Sequence, residues 1–230
     1  MDKKKLAYHL DFANHHPDST TADIKKLCAT VLKYGFHSAF VNPCYVSLAS
    51  KILKGRATVG TVVSFPQGQD SVAAKVASAV DSARAGANEL DVQMNVGAFK
   101  EGKYDAVLGG MKQIVRAVKK TNKKTLVKFI IETGYLTDKE IMKASELVMK
   151  SGADFVKTCS GYGPRGALIK DVTLIRKVVG NKMWVKVAGG VSTTEQALAF
   201  LNAGADRIGT SKAIEIVEGR IPKESGKGSE

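Results

Sequence analysis

Short β-branched runs alternate along the chain with longer segments whose apolar positions recur at helical spacing. Strands are expected at 8–12 (YHLDF), 37–43 (HSAFVNP), 57–65 (ATVGTVVSF), 88–93 (NELDVQ), 125–132 (TLVKFIIE), 154–158 (DFVKT), 183–189 (MWVKVAG) and 206–210 (DRIGT). Helices are expected from near Thr21, then over 45–55, 71–86, 104–121, 137–152, 171–180, 193–204 and 211–218. Thr137 and Glu140 fit a capping box at the start of one of them. Alternating units of this kind imply a parallel sheet covered by helices, and eight of them predict a closed (β/α)8 TIM barrel. Residues 1–217 then form one barrel domain with a short N-terminal extension. The polar stretch 218–230, rich in Gly, Ser and Lys, reads as a flexible tail.

A weak internal repeat sharpens the expectation. The segments AGANELDV (85–92), SGADFVKT (151–158) and AGADRIGT (203–210) share a glycine where a helix ends, then Ala, then Asn or Asp, then a strand. Five residues beyond those glycines stand Asp91, Lys157 and Gly209, on the fourth, sixth and eighth strands. Barrel interiors are layered, and each layer draws on alternate strands, so equal offsets on strands of one parity place these three residues together. The seventh strand adds Lys186, one interstrand spacing of about 4.8 Å from the sixth.

Composition narrows the function classes. The chain has 230 residues, 44% of them hydrophobic and 25% charged, and no apolar run approaches the roughly 20 residues of a membrane span. The N-terminus carries charge without an apolar stretch after it, so a signal peptide is not expected. Three cysteines (Cys28, Cys44 and Cys159) cannot all pair and show no metal-ligand spacing, which points to a reducing cytoplasm. A net charge of +13 suits an anionic substrate, nucleic acid or mere solubility. The lysines are spread through helical segments and no nucleic-acid motif is present, so neither nucleic acid nor a membrane is expected as a partner.

The layer of two amines and a carboxylate suggests chemistry. A second ammonium and partial desolvation both disfavour the charged form of a lysine, and a neutral amine attacks carbonyls to give a Schiff base. Asp91, between Leu90 and Val92 in an apolar strand, is the natural proton shuttle, directly or through water. Strand-end lysines also commonly reach out to solvent, so the case rests on the three residues coinciding. Lys128 and Glu132 on the fifth strand are further candidates for the same mouth. After strands seven and eight, VAGGVST (187–193) and RIGTSKAI (207–214) offer Gly189, Gly190, Gly209, Thr210 and Ser211 as a phosphate seat, or simply turn glycines and helix caps at Ser192 or Thr193 and at Ser211. GYGPRG (161–166) spells a dinucleotide fingerprint, but its third glycine falls in a loop before the helix expected from Asp171. His15 and His16 read as a polar loop rather than metal ligands, and Cys159 as a small filler at a strand end. No cofactor or metal is expected.

The segments ELDVQMNVGAFKEGKYDAV, VKFIIETGYLTDKE, GADFVKTCSGYGPRGA, VKVAGGVST and AGADRIGTS, together with VNPCYVSLASKIL, resemble the deoxyribose-phosphate aldolase family of class I aldolases, over about residues 5–217. The resemblance implies reversible cleavage of 2-deoxy-D-ribose 5-phosphate to D-glyceraldehyde 3-phosphate and acetaldehyde. It implies Lys157 as the Schiff-base residue, Lys186 as its perturbing partner and Asp91 in the acid/base relay. Substrate contacts are then expected at Asp11, Thr158, Ser160 and Gly161 and at the phosphate seat, and a homodimer or homotetramer in the cytoplasm. The chain departs from the family where Asp-His-Thr is usual: Asp11 is kept, but Phe12 and Ala13 replace the His and Thr. Cys159 stands where Ser or Thr is usual, Ser192 where Arg or Lys is usual, and SFPQG (64–68) replaces Gly-Phe-Pro. A Schiff-base aldolase for another sugar phosphate, or a phosphate-binding barrel without catalysis, are the competing readings.

Overall fold

In the computed structural model, described here for residues 1–220, eight parallel strands close into a barrel in sequence order. They are β1 Leu10–Asn14, β2 Ser38–Val41, β3 Thr58–Val63, β4 Glu89–Gln93, β5 Leu126–Ile130, β6 Phe155–Lys157, β7 Trp184–Ala188 and β8 Arg207–Thr210, with β8 pairing back onto β1. The helices are α1 Lys3–Tyr8, α2 Thr21–Tyr34, α3 Val46–Leu53, α4 Val72–Arg84, α5 Val96–Lys100, α6 Tyr104–Thr121, α7 Asp138–Ser151, α8 Ile169–Val179, α9 Thr194–Asn202 and α10 Ala213–Glu218. Of the tail expected at 218–230, residues 221–230 lie outside the described part.

Local chemistry explains the boundaries. Thr20 and Thr137 form capping boxes with Asp23 and Glu140, which satisfy the orphan amides that open α2 and α7. Helix α7 ends at Gly152, whose φ of +80° favours glycine. Two helices escape the sequence reading, α1 and α5. With six and five residues they are too short for a periodic signal, and each depends on its cap, Asp2 or Asn95. Helix α8 opens at Ile169, two residues before the expected Asp171. Asp171 instead occupies the third position, where its carboxylate accepts from the Leu168 amide.

The strands sort their side chains by parity. Leu10, Ala39, Val59, Leu90, Val92, Val127, Phe129, Val156, Val185, Val187 and Ile208 face the helices and build the apolar core. The alternate positions point inside and carry Asp11, Phe40, Glu89, Asp91, Lys128, Phe155, Lys157, Lys186 and Arg207. The bottom and middle of the barrel are therefore filled by ions and aromatic rings, all of them buried or nearly so. Gly60 on β3 makes room for the Phe40 ring, since a Cβ there would lie 2.2 Å from its Cζ. Gly60→Ala is expected to destabilise the fold by about 1–3 kcal/mol through overpacking. A denaturant melt with an unchanged midpoint would contradict this packing.

Candidate active site

Strand register brings the expected constellation together. Lys157 pairs with Lys186 across β6 and β7, and Asp91 pairs with Lys128 across β4 and β5. The Lys157 and Lys186 Nζ atoms each donate to the same oxygen, Asp91 Oδ2, at 2.8 Å. Lys128 Nζ lies 3.3 Å from the other oxygen, Asp91 Oδ1, and also pairs with Glu89. Lys186 reaches a second carboxylate as well, with Asp11 Oδ2 2.7 Å away. That contact is a close ion pair and not an aligned hydrogen bond. Asp11 Oδ1 meanwhile accepts from Ser38 Oγ at 2.6 Å and from Arg207 at 2.9 Å.

Electrostatics follow from burial and these partners. Burial pushes the Asp91 carboxyl up, but the Lys157, Lys186 and Lys128 ammoniums outweigh it and hold the group well below the usual carboxylate range. Burial likewise opposes ionisation of Asp11, and Lys186 and Arg207 overcome it. For Lys186 the balance falls the other way. Burial pushes its amine below the ordinary lysine value, Lys128 and Lys157 act in the same direction, and Asp11 and Asp91 only partly oppose them. Lys186 also sits 3.4 Å from the centroid of the Phe40 ring, whose electron-rich face favours the cation. Gly209 provides its space, because a Cβ there would lie 2.9 Å from Lys186 Cε.

Above this layer opens a cavity with about 1050 Å³ of empty space, solvent at its mouth included. Asp91, Lys157 and Lys186 form its floor, Ser160 and Gly161 one wall, and Gly189, Gly190, Gly209, Thr210 and Ser211 another. The consecutive φ values of +91° and +83° at Gly189 and Gly190 favour glycine, and a Cβ on Gly166 would come within 2.6 Å of Gly189 O. Two expected contacts lie elsewhere. Asp11 is buried beneath Lys186, and the Thr158 hydroxyl donates to Ala188 O and accepts from Ala188 N–H, both at 3.1 Å, which staples β6 to β7. Cys159 is buried with Sγ 3.1 Å from Thr133 Oγ1, and burial pushes its thiol pKa up.

Other residues enter the site that sequence reasoning had not placed. Lys128 and Glu132 share strand parity, yet only Lys128 joins the ion cluster. Glu132 accepts from the Ser160 amide at 3.0 Å and from Gln93 Nε2 at 3.2 Å, anchoring the loop after β6. Lys212 lines the mouth beside Ser211, and Phe65, on the loop after β3, stands 5.9 Å from Lys157 Nζ and edge-on to Tyr162. His15 lines the cavity too. Spacing i, i+2, i+4 from Asp11 through Ala13 to His15 is the signal that could have found it. Asp11, His37 and Glu89 lie close enough to suit a metal ion. Lys128, Lys186 and Arg207 already face those carboxylates, so the group works as an ion-pair network.

The profile of the DeoC/LacD family of aldolases matches residues 1–214. The chain belongs to this aldolase family. The deoxyribose-phosphate aldolase of Aciduliprofundum boonei is 46% identical over 219 residues, 95% of this chain and 98% of that protein. Among solved structures, an aldolase designated QR15 superposes with a TM-score of 0.87 at 37% identity, covering 93% of this chain and 94% of the other. The tetrameric deoxyribose phosphate aldolase from Aeropyrum pernix does so with 0.88 at 29% identity, covering 94% and 91%. The aldolase barrel thus opens its cavity, floored by Asp91, Lys157 and Lys186, at the end of the fold where βα barrels place their chemistry.

Acid stability tests the cluster. A carboxyl held lower in the folded state than in the unfolded chain stabilises the fold above its ordinary value of about 3.9, and that contribution is lost as the pH falls. With Asp11 and Asp91 both lowered, the melting temperature is expected to drop steeply below about pH 4. Asp91→Asn leaves three ammoniums around a neutral amide and should cost about 3–5 kcal/mol at neutral pH, with a shallower acid limb. Thermal melts from pH 2 to 8 on both proteins decide it.

Proposed function

We infer that this aldolase reversibly cleaves 2-deoxy-D-ribose 5-phosphate to D-glyceraldehyde 3-phosphate and acetaldehyde through a Schiff base on Lys157. The observation that carries the reading is the pair of amines on one Asp91 oxygen at the floor of the mouth cavity. The name of the Aciduliprofundum relative, a deoxyribose-phosphate aldolase, supports the choice of substrate.

In this mechanism Lys157 reacts as the free amine: its proton leaves by way of the Asp91 carboxylate that it shares with Lys186, whose amine burial holds below the ordinary lysine value. The freed Lys157 Nζ attacks the C1 aldehyde of the open-chain sugar, and loss of water leaves a protonated imine. A base takes the proton from the C3 hydroxyl, the C2–C3 bond breaks, and its electrons flow into the imine as an enamine. D-glyceraldehyde 3-phosphate departs, C2 is reprotonated, and water releases acetaldehyde. Asp91 and Lys186 supply these proton transfers, directly or through a water. No metal is required, because the iminium is the electron sink. The phosphate lies against the β7 and β8 loops, where Gly189, Gly190, Ser211 and Lys212 line the wall.

Quaternary structure and location belong to the same proposal. The solved Aeropyrum pernix relative is described as a tetramer, and a homodimer or homotetramer is proposed for this chain. The three cysteines are free, and no described helix is long and apolar enough to cross a membrane. A cytoplasmic enzyme fits both observations. Light scattering that reports a monomer at micromolar concentration would refute the oligomer.

Incubation with 2-deoxyribose 5-phosphate followed by borohydride should add the reduced adduct to the Lys157 peptide by mass spectrometry. Lys157→Leu is expected to abolish both adduct and turnover. Lys186→Leu should lower turnover by about 10²–10⁴-fold, the usual share of acid–base catalysis, while the barrel remains folded. An adduct with fructose bisphosphate but none with deoxyribose phosphate would point to a different sugar phosphate.

A further inference from the structure

Strand β1 departs from the family resemblance at Phe12 and Ala13, and its geometry shows what each departure does. Phe12 faces outward, packs on the apolar core and lies tilted against Phe36 at 5.6 Å, so it takes no part in the mouth. Ala13 does line the cavity, and with a methyl group it offers no hydrogen bond where the family carries a threonine hydroxyl. Two residues on, at the same parity, His15 lines the same cavity as Ala13. Its ring is wedged between Phe65, at 5.5 Å, and the edge of Phe40, at 6.3 Å. Nδ1 of that ring is buried with no hydrogen-bond partner. A buried polar atom without a partner is disfavoured by about 1–3 kcal/mol, and Nδ1 is the atom of this ring that a group bound in the cavity would satisfy.

The charge state is consistent with that arrangement. Burial, and then the Lys157 ammonium, push the imidazole pKa down to about 3, against the pull of Asp91. The ring is therefore neutral at physiological pH. Its free Nδ1 is an acceptor or an N–H donor according to the tautomer, and a hydroxyl can pair with it in either form.

We propose that His15 is a specificity-determining residue that hydrogen-bonds a hydroxyl of the phosphorylated three-carbon half of the substrate, in place of the threonine hydroxyl lost at Ala13. The inference rests on the aldolase reading. Lys157 holds C1 as the imine, the β7 and β8 loops hold the phosphate, and the hydroxyl-bearing carbons lie between these two anchors. In the synthetic direction the contacted group is the 2-hydroxyl of D-glyceraldehyde 3-phosphate, and acetaldehyde carries no equivalent.

The test compares two acceptors for acetaldehyde addition, D-glyceraldehyde 3-phosphate and 3-oxopropyl phosphate, which lacks the 2-hydroxyl. His15→Leu is expected to reduce the kcat/KM preference for the hydroxylated acceptor by about tenfold, as loss of one hydrogen bond predicts. His15→Asn, which returns a polar group near the Nδ1 position, should recover part of it. Borohydride trapping of acetaldehyde on Lys157 should persist in His15→Leu. An unchanged preference in His15→Leu overturns the proposal, and so does loss of trapping in that variant, which would make the ring a purely structural wedge. Failure of the unsubstituted enzyme to trap any aldehyde would instead remove the aldolase reading, and this inference with it.

Discussion

One carboxylate oxygen shared by two ammoniums organises this protein. Asp91 Oδ2 accepts from Lys157 and Lys186, and among the described residues it is the only carboxylate paired with Lys157. Beneath them Lys128, Arg207, Asp11 and Glu89 extend the same lattice of opposite charges. Four cations thus face three carboxylates inside the barrel, so release of a single proton leaves the set electrically balanced. Desolvation makes that balance matter, since an uncompensated charge in such an interior is strongly disfavoured. A proton can therefore leave one amine and return with little electrostatic penalty for the cluster as a whole.

The barrel was legible because short β-branched runs alternate with helical segments through eight units, a signal that survives without any structure, and the glycine-plus-five repeat showed which strand ends meet. Asp91 and Lys157 followed from the repeat, and Lys186 from the adjacency of the seventh strand to the sixth. Less local facts did not. The Thr158 side chain turns to its neighbouring strand because Ala188 offers both a donor and an acceptor there, and no pattern within 154–164 reveals it. Asp11 belongs to the cluster but does not line the cavity, because its carboxylate is buried against Lys186, Ser38 and Arg207, partners on three other strands. Lys128 and Glu132 share parity, yet Glu132 stands beyond the end of its strand with φ +55°, so its carboxylate turns to the Ser160 amide.

The rim shows how a hydrophilic floor is kept in an apolar setting. Phe40 covers Lys186, and Phe65, which meets Tyr162 edge-on, lies 5.9 Å from the Lys157 amine on the loop after β3. The two phenylalanine rings offer the amines apolar cover without a competing acceptor, and the cavity is lined by glycines on its β7–β8 side.

The staple between Thr158 and Ala188 has a mechanical consequence. Thr158 N–H also donates to Lys186 O, Ile131 N–H to Lys157 O, and Thr133 N–H to Thr158 O, so the peptide on either side of the nucleophile is tied to both neighbouring strands. The reactive nitrogen then travels only by rotation about the four methylenes of its own stem. Its stroke is a fixed radius from an immobile pivot, and a bulkier carbonyl compound must be brought to that arc by reshaping the surrounding loops, because the strand will not yield.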